Sequence, residues 1–189
     1  ILMKMTDEKL FKLDEKIGSY DSLIFKSSLG SKSNQQILAH QAGLVSWIPF
    51  YQETFLFDSI SNRKLLNKSI YSSEMDFEFD YQVAKSLYSK SSFQDTLVKR
   101  ILESEISEDK KYLYSDLGFY LYKKIIENSY QLTQDKILNK IFLKKLGMEN
   151  MCYNPFKEID MKRIVPTEVD NYYRNQLLIS PILYFFLIL

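Results

Sequence analysis

The chain has 189 residues, 46% hydrophobic and 26% charged, enough apolar material to bury a core in one domain or in part of a larger one. Its formal charge of +1 provides no basic field for nucleic acid, and the single cysteine, Cys152, excludes an internal disulfide. His40 is the only histidine, so no Cys/His cluster has metal-ligand spacing, no cofactor is expected, and any Ser/His/Asp triad would have to use His40.

Ile1, Leu2 and Met5 repeat at helical spacing with no signal peptide before them, which reads as a helix entered midway. Asp14 to Ser33, with Gly18 and Gly30 and many serines, reads as loop. Asn34 is expected to cap a short helix from Gln35 to Gln41 that Gly43 ends. Leu44 to Phe57, rich in aromatics and interrupted by Pro49, reads as an irregular packed loop, and Ser59 to Asp80 as a polar surface excursion.

Helical signal strengthens from Asp80, which is expected to cap a helix with Val83, Ala84, Leu87 and Tyr88 on its apolar face. Ser92 caps the next, with Leu97, Val98, Ile101 and Leu102 inward. The stretch Lys110-Lys111-Tyr112-Leu113-Tyr114-Ser115-Asp116 then runs into a helix striped by Gly118, Leu121, Tyr122, Ile125 and Ile126. Thr133 opens a further helix with Ile137, Leu138, Ile141 and Phe142 inward. Lys144 and Lys145 suit its negative end, and Gly147 its left-handed cap. The covered chain therefore reads as mostly helical with long ordered loops and no linker between domains. The last residues, Ile179 to Leu189, form an apolar run far short of the ~20 residues a membrane helix needs, so a membrane partner is not expected.

Chemistry concentrates at Tyr114, Ser115 and Asp116. From the residues alone, Tyr114 can be a packing residue, with Ser115 or Asp116 as a helix N-cap. Two S-x-x-K sequences exist, Ser61-Asn62-Arg63-Lys64 and Ser107-Glu108-Asp109-Lys110. With 21 Ser and 21 Lys in 189 residues, about two such matches arise by chance.

Four segments, in order, resemble those of serine β-lactamase-related proteins. His40-Gln41-Ala42-Gly43-Leu44 resembles H-T-S-G-L, and Tyr114-Ser115-Asp116-Leu117-Gly118-Phe119 resembles the Y-x-N segment. Phe142-Leu143-Lys144-Lys145-Leu146-Gly147-Met148 resembles the P-L-G-M segment, and Ile164-Val165-Pro166-Thr167-Glu168 the I-A-P-T-E segment. The likeness is strongest to class C β-lactamase-type serine hydrolases, in particular the domain fused behind family 3 glycoside hydrolases in Bacteroidetes-type proteins.

That resemblance implies acyl transfer on an amide or ester, such as a cell-wall D-Ala peptide, a β-lactam or a simple ester, through a Ser in an S-x-x-K motif. It makes Tyr114 the proton relay and puts Asp116 where many relatives have Asn. Trp47, Glu168 and Arg174 would line the substrate cleft. A phenol titrates near ~10, so Tyr114 needs neighbouring cations to act as a base at neutral pH. Neither S-x-x-K match stands before the helix at Ile1, where the family puts its nucleophile, and Lys16-Ile17-Gly18 comes too early for the closing K-x-G strand.

The expected fold is thus mainly α: the helical subdomain and loops of the β-lactamase/transpeptidase-like α/β fold, with most of the sheet missing. Residues 1–178 would be a partial hydrolase domain and 179–189 an atypical apolar tail, both ends resembling cuts. The parent would be a bacterial periplasmic or cell-envelope protein acting on a small molecule or peptide, in some cases fused to a glycoside hydrolase. The chain by itself would be inactive. The alternative is a non-catalytic peptide- or glycan-binding module.

Overall fold

In the computed structural model, the described residues are 1–60, 62–109, 111–148, 151–153, 155 and 159–164. They divide between two compact units, one of Ile1–Ile48 with Leu97–Met151, the other of Pro49–Thr96 with Cys152–Leu189. Among the described residues, no helix is long and apolar enough to cross a membrane.

The first unit is helical. It opens with α1 (Leu2–Asp7), followed by α2 (Ser22–Phe25) between two 3-10 turns, Ile17–Tyr20 and Ser28–Ser31, and then α3 (Asn34–Leu38). The end of α4 (Ser92–Leu102) and the whole of α5 (Leu117–Tyr130) follow. A last run combines α6 (Gln134–Leu138), a π-turn (Asn139–Leu143) and α7 (Lys144–Leu146). The stripe expected on α5 is buried, as are Leu97, Val98 and Ile101 of α4.

The stretch read as loop between Asp14 and Ser33 is instead a set of packed turns with Ile17, Ile24 and Leu29 buried. Its two glycines explain the difference. A Cβ on Gly18 would lie 2.8 Å from the Gly30 carbonyl oxygen, and one on Gly30 2.5 Å from that of Ile24, so the backbones touch directly. Asp21 caps α2 by accepting from the backbone N–H of Leu23 and Ile24.

A second correction concerns α3. Its N-cap is Ser33 rather than Asn34, in a capping box with Gln36. This frees the Asn34 side chain for a buried role. Its Nδ2 donates to the Lys12 carbonyl at 2.7 Å, and its Oδ1 and backbone oxygen lie 3.3 and 3.2 Å from the donating Tyr122 hydroxyl. Asn34 thereby ties the N-terminal stretch, α3 and α5 together through one side chain.

The second unit holds short antiparallel strands: β1 (Phe55–Asp58) pairs with β2 (Arg63–Leu66), and β3 (Tyr71–Ser72), β4 (Tyr81–Ala84) and β5 (Leu87–Ser89) form a sheet in the order β3-β5-β4. A 3-10 turn (Phe50–Thr54) leads into β1. The helix expected after Asp80 is therefore a β-hairpin. Ser86, at φ 53, takes the left-handed turn conformation, and Leu87 packs with Tyr71, Val83 and Ala84 on a small core. The polar stretch from Ser59 contributes β2 and β3 rather than a bare excursion. The Asp80 carboxylate accepts from the backbone and hydroxyl of Ser91, next to the start of α4.

Replacing Asn34 by Ala leaves the Lys12 carbonyl and the Tyr122 hydroxyl without that partner, and should cost about 2 kcal/mol in urea unfolding. An unchanged urea midpoint would contradict the role assigned to Asn34. Burial raises the Tyr71 phenol to about 12 and pushes Tyr122 up as well. Their protonated forms are favoured by folding, so this stability is present below the unfolded phenol value of about 10 and is lost as pH rises toward 12. Tyr122→Phe should flatten the alkaline loss of stability measured by circular dichroism.

Candidate functional site

The site is built where α3 ends. Ala39 leaves the helix and His40 adopts φ 56, while the His40 N–H donates to the Ile37 carbonyl at 3.0 Å and the Gln41 N–H to the Gln36 carbonyl at 2.7 Å. This is a Schellman closure with His at the left-handed position usually taken by Gly. Gly43, the residue the sequence suggested as the helix stop, has another task. At φ 81 its carbonyl accepts from the Ser107 N–H at 2.9 Å, and a Cβ there would lie 2.0 Å from the Ser107 carbonyl oxygen.

The conformation of His40 presents its ring to Ser115. Nδ1 lies 3.2 Å from the Ser115 N–H nitrogen and 3.1 Å from the Ser115 carbonyl oxygen. A bare Nδ1 accepts from the amide, and a protonated one donates to the carbonyl. The Leu113 N–H donates to the His40 carbonyl at 3.0 Å. Ser115, only 4% exposed, donates its hydroxyl to the Val45 carbonyl at 2.7 Å and accepts from the Leu117 N–H at 3.3 Å. Residues 40–45 are thus bonded directly to residues 113–115.

Tyr114 and Asp116 are held at the surface of this junction. Asp116 occupies the N-cap position of α5 but makes no capping bond. Its Oδ1 instead accepts from the Tyr114 hydroxyl at 2.7 Å. That hydrogen bond, with the carboxylate charge behind it, raises the Tyr114 phenol above its ordinary value. The proton is held rather than released. The Tyr114 ring centroid is 4.6 Å from that of His40, with Tyr112 at 5.7 Å and Phe119 at 6.3 Å from the same imidazole. These three rings are 65%, 53% and 48% exposed for Tyr112, Tyr114 and Phe119, so together they make an aromatic face.

Trp47 is also exposed, two residues past Val45 in the same unit. Glu168, Arg174, Ser61 and Lys110 lie outside the described residues. Lys64 sits on β2 and not on a helix. Ser107 is exposed, and its hydroxyl accepts from the Asp109 N–H at 3.1 Å within a local turn. Lys16 precedes a 3-10 turn and makes an isolated bridge to Ser33, so Lys16-Ile17-Gly18 is not an extended strand. Among the described residues no group of three His, Cys, Asp or Glu could hold a metal ion. Sequence reasoning missed Tyr112, Phe119 and the bonding role of Ser115. The pairing of a lone His with a downstream aromatic-Ser-Asp run was the only available signal.

Exchanging Asp116 for Asn removes the carboxylate that holds the phenolic proton. Tyr114 should then ionise at lower pH, seen in tyrosinate absorbance as a difference from wild type that shrinks to the smaller effect of the Asp116 charge on Tyr120 when Tyr114→Phe is added. A superimposable titration would contradict the Tyr114–Asp116 bond.

No family model matches the sequence, and no curated protein matches it. Among solved structures, the chain resembles the crystal structure of a "putative beta-lactamase" from Bacteroides dorei DSM 17855, with a TM-score of 0.51 and 12% sequence identity. The match covers 80% of this chain and 35% of that one, so the chain spans about a third of the length of its structural relative. At that identity the likeness is one of fold: the chain is built like part of a β-lactamase-like structure.

Proposed function

We propose that this chain forms the helical part of a serine hydrolase of the class C β-lactamase, peptidase and esterase type, with Tyr114 handling the proton during acyl transfer. One observation carries the reading. The His40–Leu44 and Tyr114–Phe119 segments, which resemble two separate motifs of that family, meet through the His40–Ser115 contacts in a chain of β-lactamase-like fold. Substrates would be an amide or ester, such as a D-Ala peptide, a β-lactam or a simple ester. Trp47, Glu168 and Arg174 are the proposed cleft residues. The parent is proposed to work in the bacterial cell envelope, in some cases fused to a glycoside hydrolase.

The chemistry assigned to Tyr114 follows from its surroundings. Acyl transfer needs a group that takes the proton of the nucleophile and returns it to the leaving group. Asp116 opposes a phenolate, so Tyr114 here is a proton holder and hydrogen-bond donor. Cationic lysines contributed by a nucleophile motif and a closing strand would offset the Asp116 charge and let the phenol cycle. Among the described residues, neither S-x-x-K match offers such a partner. Ser107 is bound into an exposed turn, and Lys64 stands on a strand. The chain alone is therefore proposed to perform no acyl transfer.

A second reading, a non-catalytic peptide- or glycan-binding module, is favoured by the exposed rings of Tyr112, Tyr114 and Phe119 around His40. Such a face stacks on flat or apolar ligand surfaces without any nucleophile.

Incubation with a fluorophosphonate or penicillin probe should leave the purified chain unlabelled by mass spectrometry, and stoichiometric acylation at Ser61 or Ser107 would sink the account of inactivity. Saturable binding of a peptide or glycan without turnover, weakened about tenfold by Tyr112→Ala through loss of stacking, would favour the second reading.

A further inference from the structure

The helical run Gln134–Leu146 departs from the charge pattern of the other helices. Elsewhere a lysine is followed four residues later by a glutamate that pairs with it: Lys4 with Glu8, Lys99 with Glu103, Lys123 with Glu127. Here lysine follows lysine, at 136, 140 and 144. All three are exposed, and no carboxylate among the described residues forms an ion pair with them. Like charges at this spacing destabilise a helix. Among the described residues no carboxylate pairs with the column to offset that cost, and only Lys144, in the last turn, also meets the negative helix end.

The π-turn brings the three charges into one column. In a regular α-helix residues four apart creep round the axis by about 40°, so three such lysines would fan out over about 80°. The π-turn at Asn139–Leu143 has more residues per turn, so its four-residue step falls short of a full circuit and reverses the creep. Lys136, Lys140 and Lys144 therefore line up over about 12 Å of helix. Ile137 and Leu143 of the same run are buried. At the C-terminal end, Gly147 turns the chain at φ 64, and Leu146 and Met148 remain 67% and 40% exposed.

We propose that this helix rests on an anionic phospholipid surface, with the lysine column against the headgroup phosphates. Lysine supplies compact, hydrated charges that suit a diffuse anionic surface. The arginine forks and stacked aromatics suited to nucleic acid are absent from the column. This is attachment to a surface, in a region distinct from the His40–Ser115 site.

Flotation of the purified protein with phosphatidylglycerol-containing and pure phosphatidylcholine vesicles tests the proposal. Binding is expected to the anionic vesicles only and to fall with salt. Each Lys→Gln change should weaken it about fivefold, so K136Q/K140Q/K144Q loses about a hundredfold. The corresponding triple Lys→Arg variant should retain binding, and L146S/M148S, which lies off the column, should leave it unchanged. Circular dichroism of each variant separates these effects from misfolding. The proposal is overturned if anionic vesicles are not bound, if neutral vesicles bind equally, or if the folded triple Gln variant floats like wild type. Equal affinity for single-stranded DNA would likewise overturn the assignment to lipid.

Discussion

The imidazole of His40, held in a left-handed turn, is the contact on which the candidate site depends. A β-carbon in that conformation carries a steric cost, which is why glycine usually closes helices in this way. Here the residue with φ 56 also supplies the ring that meets both backbone polar groups of Ser115. A glycine would close α3 just as well and would leave Ser115 without the imidazole partner. The strain is local, and what it achieves is long-range: two segments seventy-five positions apart are registered to within a hydrogen bond.

From that register the rest follows in order. Ser115 faces inward and holds Val45, so Tyr114 and Asp116 on either side of it are turned outward together. Their pairing is then a matter of chemistry. A phenol and a carboxylate at hydrogen-bond distance keep one proton between them, and the shared arrangement disfavours a second negative charge. Behind the surface, Asn34 and Tyr122 anchor α3 to α5, so the two elements that flank the junction share a buried polar pin as well as an apolar contact. Gly118 tightens that contact, since a Cβ there would stand 2.5 Å from Cγ2 of Ile37.

The helical half of the fold was legible in the sequence because its apolar residues recur at helical spacing. Val98, Ile101, Leu121, Ile125 and Ile137 are all buried, and Gly147 makes the left-handed stop expected of it. The β-hairpin at Tyr81–Ser89 was not legible. Val83, Ala84, Leu87 and Tyr88 fit a helical face as well as they fit two short strands, and only the left-handed Ser86 between them decides the matter. Likewise Asn34 and Ser33 are equally good caps on paper. Their roles separate only when Tyr122, eighty-eight positions away, claims the amide. At the site, Tyr114 and Asp116 could be picked out as chemically promising, but their mutual bond depends on side-chain direction that spacing does not encode. The likeness of fold to a β-lactamase-like structure agrees with the architecture expected from the sequence.

Hydrogen exchange at the Ser115 amide, compared between wild type and His40→Gly, tests the central claim most directly. Glycine keeps the left-handed turn and removes only the ring, so helix closure and ring bonding are separated. The Ser115 amide is expected to exchange slowly in wild type and fast in the variant, while amides in the middle of α5 keep their protection. An amide that exchanges equally in both proteins would show that the His40 ring does not hold the junction.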